Sequence, residues 1–262
     1  MNPRHKLAKL GLEPKEGQNF LIHEPTIQAL VEAGEIEDHK TLEIGGGLGA
    51  ITEKLQKKTD DLTVIENDSA LANHLKEEFP EIEVRKEDIM DSDISNFERC
   101  VSNIPFNLSS EIITKLGENQ VQSALIVQEA LADKVVSDPG DSDYGHFSAL
   151  IDYYFLPVKL RTVNSSAFHP SPEVNAAIIK LYSGKDRHGI EDEEFFLSTI
   201  KALFTHKRKK LRNALVDSRN MLDLEKDEIK EVRDDAPHSE ERVVNLDVKK
   251  LADVSEWLQS EF

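Results

Sequence analysis

The chain has 262 residues, 39% apolar and 31% charged, enough for one good-sized α/β domain with a small appendage. Fifty Asp and Glu against 32 Lys and Arg give a formal charge of −18, a balance that repels phosphate unless a local basic patch or high salt offsets it. No apolar run approaches the roughly 18 residues of a membrane span, the first ten residues lack the apolar stretch of an export signal, and the single Cys100 excludes an internal disulfide and a cysteine-based metal cluster. The expectation is a soluble, cytoplasmic protein.

Residues 1–22 read as irregular, punctuated by Gly11, Pro14 and Gly17, and a helix follows from Pro25 to Ala33 with the proline suited to its first turn. Thr41–Ile44 is a predicted strand and Ala50–Lys57 a helix after a glycine turn. Leu62–Glu66 reads as strand, Ser69–Glu78 as a helix capped by Asp68 or Ser69, and Ile82–Lys86 as strand. Arg99–Asn103 and Ser123–Gln128 are further strands, separated by a helix at Ser109–Leu116 and followed by one at Glu129–Val136. This alternation predicts a mostly parallel sheet covered by helices on both faces. Beyond Gly145, Phe147–Phe155, Leu160–Val163 and Ala176–Leu181 read as antiparallel strands closing one edge. Ser183-Gly184-Lys185-Asp186 reads as a linker, and helices are predicted at Asp192–Phe204, Lys207–Val216, Glu225–Val232 and Val248–Leu258. The expected division is therefore a domain at 1–184 and a small helical domain at 185–262.

Chemistry concentrates at the carboxyl ends of the predicted strands. Glu43-Ile44-Gly45-Gly46-Gly47-Leu48-Gly49 joins a strand to a helix, and its glycines let the backbone turn sharply and approach a ligand. The spacing G-x-G-x-G differs from the G-x-G-x-x-G of dinucleotide binders. Glu66, 21 residues after Gly45, ends the next strand, where a carboxylate can take ribose hydroxyls. Asp88 follows the third strand, placed to accept from an adenine amino group or simply to sit in a solvated loop. Asn103-Ile104-Pro105-Phe106 ends the fourth. An adenine N6 lone pair is delocalised into the ring, so the amine is a poor nucleophile. An Asn oxygen and a neighbouring main-chain carbonyl that accept its hydrogens favour the reactive, pyramidal nitrogen. Pro105 stiffens the loop, and Phe106 offers a face for a base removed from its stack.

These segments resemble the rRNA adenine N6,N6-dimethyltransferase family, which comprises the small-subunit enzymes KsgA and Dim and the Erm methylases. The resemblance extends over nearly the whole chain and favours an archaeal-type, salt-adapted KsgA/Dim member. It rests on Gly17-Gln18-Asn19-Phe20-Leu21, the Glu43–Gly49 loop, Val64-Ile65-Glu66-Asn67-Asp68, Asp88 and Asn103-Ile104-Pro105-Phe106. Val127-Gln128-Glu129, Tyr144-Gly145, Phe168-His169-Pro170-Ser171-Pro172-Glu173-Val174 and Lys207-Arg208-Lys209-Lys210-Leu211-Arg212-Asn213 continue it in family order. It implies a Rossmann-like class I methyltransferase sheet, parallel with an antiparallel edge, and a small C-terminal helical domain.

It implies S-adenosyl-L-methionine as cofactor, with Asn19 and Leu21 at the methionine end, Gly45 and Gly47 in the cofactor turn, Glu66 on the ribose and Asp88 on the adenine. Asn103 serves both cofactor and target. Phe106 stands where most relatives have Tyr, and Phe168 is implied as a second aromatic wall, with ordinary strand packing as its alternative. The family's glycine loop often carries Pro at the position of Gly46. The implied function is dimethylation of two adjacent adenosines in the 3′-terminal hairpin loop of small-subunit rRNA, on free rRNA or an assembling subunit; a monomer is the default expectation. An Erm-type large-subunit methylase and a non-catalytic assembly factor are the alternatives.

Lys207, Arg208, Lys209, Lys210 and Arg212 form a basic patch in this acidic chain, which points to RNA phosphate contact, with a solvated helix face as the alternative. Carboxylates spread along the whole sequence suit a salt-adapted surface, while the excess of Lys over Arg is unlike an extreme halophile. The nine His show no metal-ligand spacing, and Cys100 sits in a predicted buried strand as packing.

Overall fold

The computed structural model describes residues 3–15, 17–184 and 188–262. The described chain divides into two compact units, residues 1–132 with 156–183, and residues 133–155 with 184–262. The second unit thus takes in a segment that the linear division at 184/185 had placed in the first domain. Lys185 and Asp186 of the expected linker lie outside the described residues.

In the first unit the strands are β1 (Phe20–Leu21), β2 (Thr41–Ile44), β3 (Leu62–Ile65), β4 (Glu83–Arg85), β5 (Arg99–Asn103), β6 (Gln122–Gln128), β7 (Phe155–Val163), β8 (Phe168–His169) and β9 (Ala176–Ser183). Among the described residues, seven of them form one sheet in the order β4-β3-β2-β5-β6-β9-β7, and β1 pairs with β8 in a small second sheet. Strands β4, β3, β2, β5 and β6 run parallel, with Glu43 opposite Val64 and Asn103 opposite Ile126. Strand β9 runs antiparallel to β6, with Lys180 opposite Ala124. Every residue of β2 and β3 is buried, because helices cover both faces of a parallel sheet.

The helices of this unit are α1 (Pro3–Leu10), α2 (Glu24–Gly34), α3 (Thr52–Leu55), α4 (Ser69–Glu78), α5 (Ser109–Glu118) and α6 (Glu129–Val135), the last reaching into the second unit. The Asp68 carboxylate caps α4 by accepting from Ala70 N and Leu71 N. Helix α2 ends at Glu35 in the left-handed region, and its last carbonyls meet a buried cation. Lys180 is 1% exposed, and its ammonium donates to the carbonyls of Ala33 and Gly34 and lies 3.4 Å from Glu35. Burial pulls the Lys180 pKa below its ordinary value, and Glu35 opposes that shift.

Local expectations differ from the structure in several places. Residues 3–10 form α1 rather than irregular chain, and the helix near Ala50–Lys57 is confined to Thr52–Leu55. Phe147–Phe155 is a helix, α7 (His146–Tyr154), not an antiparallel strand. The run Phe147 to Phe155 is apolar at almost every position, so no polar periodicity separates helix from strand. Six of its residues are buried within α7, and the helix packs on α8 (Glu193–Phe204).

The second unit is built on α7, α8, α9 (Leu211–Ser218), α10 (Lys226–Val232) and α11 (Val248–Glu261), with α8 packed on α7, α9 and α11. Asp192 caps α8 and Asp247 caps α11. Tyr153 stacks obliquely on Phe196 at 5.1 Å, and the Tyr144 hydroxyl donates to the Leu246 carbonyl at 3.0 Å. No helix of the described residues is long and apolar enough to cross a membrane.

Replacing Lys180 with Met keeps the stem but leaves the buried carbonyls at the end of α2 without their donor. Lys180→Met is therefore expected to lower unfolding free energy by about 1–3 kcal/mol in urea titrations; unchanged stability would show that the ammonium contributes nothing there.

Candidate functional site

Strands β2 and β5 are neighbours at the point where the strand order reverses, so the loops leaving their carboxyl ends open onto one crevice. A cavity lies there, lined by Gly17–Ile22, Gly45–Ile51, Glu66, Leu71 and Asn103–Phe106, with Pro3 and Lys6 of α1 on its rim. It is contained in the first unit and collects Asn19, Leu21, Gly45, Gly47, Glu66, Asn103, Ile104, Pro105 and Phe106.

The glycine loop is held by carboxylates. Glu66 is 7% exposed; its Oε2 accepts from Gly47 N at 3.0 Å and its Oε1 from Asp68 N at 2.9 Å. Burial raises the Glu66 pKa above its ordinary value, against the two amide hydrogen bonds that lower it. Gly47 has φ +56°, and a β-carbon there would stand 3.2 Å from the Phe20 ring. Gly46, where the resemblance leads one to expect proline in many relatives, is closed off instead. A β-carbon would lie 2.7 Å from Val64 and 2.9 Å from Leu75. A side chain at this position would displace Val64 and Leu75 behind the loop.

Behind the loop, Glu43 is 1% exposed and its Oε2 accepts from the Thr52 hydroxyl at 2.6 Å. Among the described residues its Oε1 has no hydrogen-bond partner. Burial, the dominant cause, pushes the Glu43 pKa up to about 8, and the Glu66 charge adds to the shift. The same carboxyl helps burial to raise the Cys100 thiol, which is fully buried and consistent with packing.

Asn103 ends β5 at the cavity wall. Its amide Nδ2 donates to the Asn19 carbonyl at 2.9 Å, a bond that only the nitrogen can make and that fixes which way the amide points. Its Oδ1 is left buried with no hydrogen-bond partner among the described residues. After it, the Pro105 carbonyl accepts from Leu108 N at 3.1 Å and from the Ser109 hydroxyl at 3.0 Å, which folds the loop into a tight turn and brings Phe106 to the cavity.

Asp88 and Phe168 stand outside the described lining of the cavity. Asp88 accepts from Met90 N at 2.9 Å and from the Asn67 amide at 3.2 Å, which anchors the loop after β4. Phe168 is 3% exposed, and its ring meets Phe106 edge to face at 6.3 Å.

The basic patch lies in the second unit. The predicted helix over Lys207–Val216 begins only at Leu211, and the five cations straddle the turn that precedes it. Lys207 is directed at the Tyr144 carbonyl, 2.8 Å away.

Sequence reasoning did not foresee α1. Lys6 donates to the Leu48 carbonyl of the glycine loop at 3.1 Å and to Glu78 at 2.7 Å, while Leu7 packs with Leu48 and Leu71. Its signal was present in Pro3 near the helix start and Gly11, at φ +65°, just past its end.

A glycine loop tied to a buried acid and, among the described residues, a buried, unpartnered amide oxygen thus stand at the ends of neighbouring strands. Residues 11–260 match the family model for ribosomal RNA adenine dimethylase. The chain belongs to that family. The probable ribosomal RNA small subunit methyltransferase A of Thermococcus sibiricus is 34% identical over 264 residues, covering 97% of this chain and 96% of that protein. The protein of the same name from Methanosarcina acetivorans is 35% identical over 92% of this chain and 91% of its own length. Among solved structures, a dimethyladenosine transferase from Plasmodium falciparum matches at a TM-score of 0.83 and 23% identity, covering 92% of this chain and 98% of that one. The 23S rRNA methyltransferase ErmE matches at 0.67 and 23% identity, over 92% of this chain and all of that one. Both share the fold of this dimethylase. The enzyme is an rRNA adenine N6,N6-dimethyltransferase whose cofactor is S-adenosyl-L-methionine.

A Glu43 carboxyl that stays protonated in the fold gives stability a pH dependence of known sign. The unfolded chain releases this proton near its ordinary value of 4.5 and the folded protein only near 8. The contribution is therefore fully present below about pH 4.5 and is lost as pH rises through about 8. The thermal midpoint of the dimethylase relative to a Glu43→Gln variant is expected to fall between these limits; a difference that does not vary with pH would contradict a protonated Glu43.

Proposed function

We propose that this dimethylase modifies two adjacent adenosines in the 3′-terminal hairpin loop of small-subunit rRNA, with Asn103 Oδ1 as the acceptor that selects and activates N6. The observation that carries this reading is the buried, unpartnered Oδ1, held in place by the Asn103–Asn19 hydrogen bond. A buried acceptor without a donor is costly, so such an atom beside a cavity points to a donor supplied by the substrate. S-adenosyl-L-methionine supplies an electrophilic methyl group on a sulfonium. Gly45 and Gly47 present backbone to the cofactor, Glu66 accepts from its ribose, and Asn19 and Leu21 flank its methionine end. Asp88, in the loop after β4 and outside the cavity lining, would accept from the adenine amino group.

Asn103 Oδ1 and the Ile104 carbonyl accept the two N6 hydrogens of the target, which concentrates the lone pair on nitrogen. Held so, N6 would take the methyl group that the cofactor supplies, leaving S-adenosylhomocysteine, and its proton would pass to water, since an amide is no base. Pro105 fixes the turn, and Phe106 stacks on the flipped base. Phe168, buried at the edge of the Phe106 ring, holds that ring at its angle. A loop adenosine needs little unstacking to reach the site. Lys207, Arg208, Lys209, Lys210 and Arg212 lie near the RNA backbone, with Arg208 the most available of them.

The names of relatives 34–35% identical to this chain support the small-subunit substrate. The enzyme acts as a monomer on assembling subunits in the cytoplasm, and its −18 charge fits an interior of high salt, where repulsion from RNA is screened.

Small ribosomal subunits from a strain lacking the enzyme, incubated with cofactor and protein, are expected to gain dimethyladenosine at two neighbouring positions by mass spectrometry. Asn103→Ala is expected to lose at least about a hundredfold in turnover while retaining its fold. Near-normal turnover in that variant would overturn the role of Asn103, and methylation of large-subunit rRNA alone would transfer the substrate to the Erm type.

A further inference from the structure

The basic stretch of the second unit is already occupied by anions. Lys210 Nζ donates to Glu240 Oε2 at 2.5 Å, and Arg212 Nη1 donates to the other oxygen of the same carboxylate. Arg212 also reaches Asp234 at 3.4 Å, and Lys209 donates to Asp217 at 2.5 Å. Lys207 is spent on the Tyr144 carbonyl. Among the described residues, Arg208 is the patch cation that is exposed and has no side-chain partner. A carboxylate bridging a lysine and an arginine stands as a phosphate would, one oxygen to each cation.

These pairs are open to exchange. Lys210 and Glu240 side chains are 44% and 60% exposed, and exposed ion pairs are weak. The segment bearing Glu240 is held by its backbone instead: Leu211 N donates to the Glu241 carbonyl at 2.8 Å and Arg212 N to the Ser239 carbonyl at 3.1 Å. The Glu240 side chain is therefore free to leave its cations without unfolding the loop. The neighbouring cations hold the Glu240 and Asp217 carboxyls below their ordinary pKa values, so both are charged at neutral pH.

We propose that Glu240, together with Asp217 and Asp234, masks the RNA-binding patch, and that RNA phosphates displace these carboxylates from Lys210, Lys209 and Arg212. This rests on the RNA reading given above. Each phosphate bound replaces an internal anion, so the affinity gained per cation is small and polyanions that fit poorly are not retained. Salt screens the internal pairs as it screens the RNA, so binding falls less steeply with salt than five free cations would require.

Affinity for a transcript of the small-subunit 3′-terminal hairpin, measured across a range of KCl, tests this on the full chain. Glu240→Gln is expected to bind several-fold more tightly at low salt, with a salt slope steeper by about one ion. Glu77→Gln on α4 makes the same change in net charge far along the sequence and is the control. Equal gains in both variants would reduce the effect to bulk charge and overturn the masking. Unchanged affinity in Glu240→Gln, with weaker binding in Arg208→Ala, would overturn the masking and leave the RNA reading standing. Unchanged binding in Arg208→Ala, Lys210→Ala and Arg212→Ala together would remove the patch from RNA recognition altogether.

Discussion

One hydrogen bond organises the site: the Asn103 amide donating to the Asn19 carbonyl. It spends the nitrogen end of the side chain on the protein and leaves the oxygen end buried and, among the described residues, unpartnered. A mobile amide would sample both ends, and the site would lose its sense of donor and acceptor. The bond also ties β5 to the segment running into β1, so these two walls of the cavity are set together.

The remaining parts supply rigidity around that bond. Glu66 grips Gly47 N, Lys6 grips the Leu48 carbonyl, and Glu43 holds Thr52 at the start of α3. The glycine loop is thus fixed from the sheet, from α1 and from the helix behind it. Buried carboxyls serve as clamps here because burial keeps Glu43 protonated, so it fills the space as a neutral group. Gly46 completes the fit by allowing Val64 and Leu75 to close on the loop where a side chain would hold them off.

Much of this was legible in the sequence, for physical reasons. Thr41–Ile44, Arg99–Asn103 and Ser69–Glu78 match their predicted limits because apolar runs of strand length, a clear cap at Asp68 and loop residues at each end all agree. The glycine loop, Glu66 and Asn103 were placed by strand-end logic alone. Phe147–Phe155 was misread because a segment buried on nearly all sides carries no period. Helix α1 was missed because two glycines and a proline suggested loop. The pairing of Lys210 and Arg212 with Asp234 and Glu240 was invisible, because it joins residues brought together only by the loop before α9 and the segment after α10.

An acidic enzyme for an acidic substrate divides its labour accordingly. The proposed site is a pocket of neutral amides and protonated or hydrogen-bonded carboxyls. The basic stretch proposed to meet the RNA lies in the second unit. The most direct test of Asn103 is a double-mutant cycle between its side chain and the target amine. Hairpin RNA carrying adenosine or purine ribonucleoside at the target would be titrated into wild type and Asn103→Ala, both loaded with S-adenosylhomocysteine. Loss of affinity on deleting the amine in wild type, but not in Asn103→Ala, is the expected result; equal losses in the two proteins would contradict the account.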